Sequence, residues 1–132
     1  MSGQNDFAAL IARILLALVF VPSGFSTITG FSGTVGFITS QGVPLPEVAA
    51  AIKILIEFGC GLLVLVGWKT RWAALAFMVF LIVITPTFHN FWSVPEAQKM
   101  MEEINFMKNL GILGAFFLLF AFGPGRFSLD RQ

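Results

Sequence analysis

Charged side chains are scarce in this 132-residue chain: eight Lys and Arg and seven Asp and Glu make up 11% of it, where a soluble domain carries about 25%. The formal net charge is +1. That leaves no electrostatic case for a nucleic-acid partner or a polybasic lipid contact. The single cysteine, Cys60, excludes an intrachain disulfide and a dithiol couple; it reads as a small packing residue. The single histidine, His89, excludes bis-histidine haem ligation within the chain. No cluster of His, Cys and carboxylates has metal-ligand spacing, so no metal site is expected. No glycine-rich nucleotide loop follows a strand. The chain therefore carries no intrinsic redox cofactor. Any electron transfer it joins needs a partner's cofactor or a bound membrane quinone.

What is present is apolar. Hydrophobic residues make up 57% of the chain and the mean hydropathy is +0.87. Apolar runs fall near residues 7–28, 47–68, 72–88 and 104–122. At ~1.5 Å per helical residue, each approaches the ~30 Å needed to cross a hydrocarbon core. The expected fold is all-α: one domain over 1–132, a polytopic membrane protein built as a bundle of four transmembrane helices. A cleaved signal peptide competes for the first run. No Lys or Arg precedes that run, it is too long for a signal core, and no A-x-A site follows. Between the first two runs, Gly30 to Pro46 holds four glycines and two prolines and no charge. Its apolar residues Phe31, Val35, Phe37 and Ile38 suit a short interfacial helix or a re-entrant turn, and the helix is the expectation. Pro86 is expected to kink the end of the third helix and free a carbonyl near Thr85. Residues 96–103 read as a separate amphipathic surface helix ahead of the fourth span. Gly123-Pro124-Gly125 ends that span.

Four spans bring both termini and the Trp68-Lys69-Thr70-Arg71-Trp72 connection to one side. That side collects Lys69, Arg71, Arg126 and Arg131, whereas the opposite loops hold only Lys99. The positive-inside rule then places both termini in the cytoplasm.

The informative charges are those inside the runs. Glu57 lies ~15 Å into the second span, near the bilayer centre. A carboxylate there is costly and needs a partner, and Lys53 lies one helical turn away. Arg13 falls within the first span, either snorkelling or reaching inward. Lys53, His89 and Lys108 approach from the opposite leaflet. Together Arg13, Lys53, Glu57 and Lys108 would form a buried network with surplus positive charge, open to an anionic or carbonyl-rich ligand. Asn90 and Asn109 are further candidate ligand-binding residues; Glu57 and His89 are the candidates for proton chemistry. The bland alternatives are snorkelling lysines, a Lys53–Glu57 bridge that fixes helix register, and asparagines that bond between helices.

Taken in order, certain segments resemble the DoxX family of small bacterial inner-membrane proteins. They are Ala12-Arg13, Pro22-Ser23-Gly24, Gly42-Val43-Pro44-Leu45-Pro46, Glu57-Phe58-Gly59-Cys60-Gly61, Trp68-Lys69-Thr70-Arg71-Trp72, Phe88-His89-Asn90-Phe91-Trp92, Lys108-Asn109-Leu110 and Phe122-Gly123-Pro124-Gly125-Arg126. The resemblance covers nearly the whole chain. It implies a four-helix bundle in the bacterial cytoplasmic membrane. It also implies a redox association, since related DoxD-type proteins are subunits of a thiosulfate:quinone oxidoreductase. Where family members often carry a lysine after the Ser-Gly-x-Ser segment, this chain has Thr27.

Two functions are weighed. In the first, the bundle holds a membrane quinone or similar lipophilic molecule, as a redox-linked protein or subunit of a quinone-linked oxidoreductase. In the second, it is a non-catalytic membrane anchor for a soluble redox enzyme. A small-molecule exporter is a third class, which so few helices would serve only by oligomerising. Small-residue faces around Gly59, Gly61, Gly111 and Gly114 would permit a homo-oligomer.

Overall fold

The computed structural model describes residues 3–130, and Arg131 lies outside the described residues. All regular structure among them is helical: α1 (Gly3–Thr29), α2 (Phe31–Ser40), α3 (Pro46–Val66), α4 (Thr70–Phe88) and α5 (Glu96–Phe122). α1, α3, α4 and α5 are long and apolar enough to cross a membrane. The expected short helix in the first long loop is α2. Leu15, Leu18, Trp72, Val83 and Leu118 all face outward. In a soluble protein such a surface would be an aggregation liability; here it is a lipid-facing belt.

Two boundaries differ from expectation. The amphipathic segment 96–103 is not a separate surface helix. It is the first part of α5, which runs unbroken for 27 residues from its Pro95 cap to Gly123, because no proline or turn sequence interrupts it. The carbonyl freed near Thr85 is not that of Thr85 itself, which accepts the His89 N–H at 2.9 Å. A proline at 86 removes the donor that would serve the carbonyl four residues earlier, at Ile82.

α3 is the least regular span. Residues Leu55–Cys60 widen into a π-helical segment flanked by Pro46–Ile54 and Gly61–Val66. α1 presses closest at this place. A Cβ on Gly24 would stand 2.6 Å from the Phe58 nitrogen and 2.8 Å from its Cβ. A Cβ on Gly61 would stand 2.8 Å from Val21 Cγ2. Two glycines thus let the backbones of α1 and α3 approach where the π segment turns Glu57 toward α1. Such widened turns recur at functional positions.

The packed core lies between this contact and one end of the bundle. Phe77 stacks on Phe116 with centroids 4.4 Å apart and planes 7° off parallel, and Phe20 tilts against Phe77 at 4.7 Å. Val64, Ala74, Leu81 and Leu119 complete the layer. The two chain ends meet beneath it, where the Asp6 carboxylate accepts the Arg126 backbone N–H at 3.1 Å. The tail then runs along the α3–α4 turn. Leu129 and Asp130 donate backbone bonds to Val66 and Gly67, and the Asp130 carboxylate accepts the N–H groups of Lys69 and Thr70 at 2.6 and 2.8 Å. That carboxylate caps the otherwise unpaired donors at the start of α4.

Candidate functional site

Beyond the aromatic layer the helices part and enclose a cavity of about 700 Å³. Phe20 and Leu81 form part of its base, Val79 and Ile52 its sides, and Phe37 and Ile38 of α2 its cover. Val79, Ile52 and Phe37 are also among the outward-facing residues, so the cavity opens sideways between helices toward lipid. Its walls are apolar, with polar groups in two places.

The first polar group is the floor, built by α1 and α3. Glu57 is 5% exposed. Its Oε1 accepts the Lys53 ammonium at 2.6 Å and the Ser23 hydroxyl at 2.9 Å. Lys53 Nζ also reaches Ser23 Oγ at 3.1 Å and Thr27 Oγ1 at 2.9 Å. An ammonium has three N–H groups, and all three have acceptors here. The Thr27 hydroxyl donates back to the Ser23 carbonyl at 3.1 Å. The ion pair is therefore neutral overall and held on both helices. Both hydrogen bonds to the Glu57 carboxylate fall on Oε1, and among the described residues none falls on Oε2.

The second polar group lies on the opposite side, toward the cavity mouth. His89 Nδ1 pairs with Glu102 Oε2 at 3.0 Å. Asn109 donates to Thr85 Oγ1 at 3.2 Å. His89, Glu102 and Asn109 all line the cavity. Phe37 of α2 stacks on Phe88 of α4, with centroids 5.9 Å apart, beside this mouth.

Of the residues singled out from the sequence, Lys53, Glu57, His89 and Asn109 line one cavity. Three others do not join them. Arg13 is wholly buried near the chain ends. Its guanidinium donates to the carbonyls of Val64 and Leu65 at 3.2 and 3.0 Å and to that of Phe127. It neutralises the carbonyl end of α3 and ties the tail to it; it neither snorkels nor meets Glu57. Lys108 is exposed on α5. Asn90 caps the end of α4 through the Thr87 carbonyl at 3.2 Å. The four-residue charged network therefore reduces to a one-to-one pair, and the surplus positive charge at the cavity does not exist. Three participants were overlooked. Ser23 and Thr27, one turn apart in an apolar run, are a legible polar pair facing α3. Glu102 is hidden in sequence because it sits in what reads as a surface segment. Thr27, the departure from the family pattern, accepts the Lys53 ammonium in place of supplying a cation.

The model for the family described as DoxX matches residues 8–90, which include most of α1, all of α3 and α4, the floor cluster and His89. The Escherichia coli protein Inner membrane protein YphA is 39% identical over 123 residues, covering 93% of this chain and 88% of that protein. Inner membrane protein YqjF, also of Escherichia coli, is 39% identical over 134 residues, covering 99% and 95%. A Surfeit locus protein 4 homolog of Schizosaccharomyces pombe is 26% identical over 98% of this chain but only 39% of that longer protein. No solved structure matches the chain.

Proposed function

The chain belongs to the DoxX family, and from that premise we propose that this integral membrane protein is redox-associated and holds a quinone-like lipophilic molecule inside its bundle. The observation that carries the reading is a buried carboxylate, Glu57, paired with Lys53 at the floor of an apolar cavity open to the bilayer. At about 700 Å³ the cavity has the size of a small-molecule site. The arrangement fits a flat ring with oxygens at two ends and an apolar tail. Glu57 would meet one oxygen, and Asn109 or His89 the other. The tail would leave past Val79 and Ile52 into lipid. When bound, such a ring supplies the electron-carrying chemistry that the chain's own residues lack. Glu57 would hold or release the proton of the ring hydroxyl nearest it.

The same reading puts the protein in the bacterial cytoplasmic membrane with both termini in the cytoplasm, because the end holding both termini also exposes Lys69, Arg71 and Arg126. That rim also favours a second reading, an anchor for a soluble redox enzyme: the tail and the α3–α4 turn that carry it are held together by Asp130, and Asp6 holds Arg126, so it offers a partner a constant surface.

The test is to purify the protein in a mild, lipid-preserving detergent and identify bound small molecules by mass spectrometry. A quinol, or the quinone it yields on oxidation in air, present in stoichiometric amount in the wild type and lost from folded Glu57→Gln is the expected result. Bulk phospholipid alone in both samples would overturn the quinone reading and leave the anchor.

A further inference from the structure

The floor of the cavity is one-signed. Every donor there is committed: the three ammonium protons of Lys53 have three acceptors, the Ser23 hydroxyl goes to Glu57, and the Thr27 hydroxyl goes to a backbone carbonyl. The one unused position is an acceptor, Glu57 Oε2. Among the described residues, the side-chain polar atoms that have neither solvent access nor a partner are Arg13 Nε and Thr70 Oγ1, and Glu57 Oε2 is not one of them. Oε2 therefore keeps free surface, on a residue that is nineteen-twentieths buried and lines the cavity. Away from the floor, the Asn109 amide keeps one N–H and its carbonyl oxygen, the His89 ring donates or accepts by tautomer, and the Glu102 carboxylate is engaged by His89 at the mouth. The deeply buried acceptor is the one on the floor.

We infer that the cavity selects lipophilic molecules whose head donates a hydrogen bond: a quinol or phenol hydroxyl binds against Glu57 Oε2, and the corresponding quinone carbonyl or ether oxygen is rejected. This rests on the ligand-binding reading above and specifies it. A carbonyl oxygen brought to Oε2 would set two lone-pair-bearing atoms together in a low-dielectric site with no proton between them, while a hydroxyl forms a charge-assisted bond. A neutral floor also fits a neutral head, since an added anion or cation would stand unbalanced beside a pair that already balances itself.

The test uses the full chain in lipid nanodiscs under anaerobic conditions and four probes in two pairs: decylubiquinol against decylubiquinone, and 4-decylphenol against 4-decylanisole. The hydroxyl-bearing member of each pair should bind at least about tenfold tighter, a difference of about 1.4 kcal/mol. Wild-type ratios near one, or reversed, in either pair would overturn the inference while leaving the cavity a binding site. No binding of any of the four would instead remove the reading on which it rests. In Glu57→Gln, whose carboxamide offers an N–H, both ratios should collapse toward one; persistence of the preference in the folded variant would show that Glu57 is not the acceptor. Gly111→Ala, on α5 with nothing within 4 Å and outside the cavity lining, should retain both ratios. Their collapse there would show that the ratios do not report on the floor and overturn the assignment.

Discussion

Glu57 and Lys53 are joined more closely to each other than either is to the bundle's other charges. Removing one partner of a buried pair leaves the other uncompensated, whereas replacing both with apolar groups is often neutral. Glu57→Ala should therefore lower stability by about 2 to 3 kcal/mol, toward the low end for such a loss, because the Lys53 side chain keeps 29% exposure and can turn outward. The double variant Glu57→Ala/Lys53→Met should recover most of that loss. Thermal unfolding of the two single variants and the double in one detergent measures the coupling. A double variant no more stable than Glu57→Ala would place the cost outside the pair. Asp130 makes a second residue-level case, outside the spans. Burial alone would push its carboxyl up; the hydrogen bonds from Thr70 and Lys69 and the nearby Arg13 guanidinium outweigh that and hold it below its ordinary 3.8. A carboxyl depressed on folding stabilises the folded state above its ordinary value, and the contribution is lost as pH falls from there through the folded value. Asp130→Asn should be less stable than wild type at neutral pH, and the gap should narrow as pH drops below about 3.8. A gap constant with pH would show that the carboxylate's charge is irrelevant to the clamp.

The contact between α1 and the π segment of α3 is where single-residue chemistry becomes the geometry of elements. Gly24→Ala forces a methyl group against the Phe58 backbone, where its Cβ has 2.6 Å. Backbone cannot yield as a flexible side chain does, so the helices must part. The expected cost is about 1 to 3 kcal/mol, together with loss of the Ser23 contacts to Lys53 and Glu57 and hence weaker ligand retention. Gly111→Ala on α5 meets nothing within 4 Å and serves as the silent control; equal damage from both would rule out the close approach as cause. This contact also marks how far the sequence could be read. The four spans are legible because hydropathy over about 20 residues is a sum insensitive to detail. The Lys53–Glu57 pair is legible because four-residue spacing sets neighbours in any helix. The π segment is not legible, since Gly59 weakens a helix there without specifying a widened turn. Arg13 was misplaced for a related reason. Depth counted along one helix says nothing of rotation about its axis, nor that residues 123–130 fold back to offer a carbonyl. Glu102 escaped notice because a continuous α5 brings an apparently surface carboxylate back against His89.

At the scale of the whole molecule the two ends of the bundle are built differently. One end is tied shut: Arg13, Asp6 and Asp130 knit α1, α3, α4 and the tail together. The other end is looser, with a cavity whose cover is a ten-residue helix and whose mouth is an aromatic stack and one His–Glu pair. The cavity opens from that half, so under the proposed ligand-binding reading the orientation of the bundle fixes which leaflet would supply the ligand. The described cations at the tied end, Lys69, Arg71 and Arg126, stand against Lys99 near the other, and positively charged short loops are retained in the cytoplasm. The mouth should then face the outer leaflet. A green fluorescent protein fused to the C-terminus should fluoresce, while alkaline phosphatase at the same place should stay inactive. The reverse pattern would turn the cavity toward the cytoplasmic leaflet and put the exposed cationic rim outside, beyond the reach of any cytoplasmic partner. Orientation thus bears on the two functions unequally: an anchor for a cytoplasmic enzyme requires the tied end inside and falls with the reverse pattern, whereas a cavity filled from lipid works in either orientation.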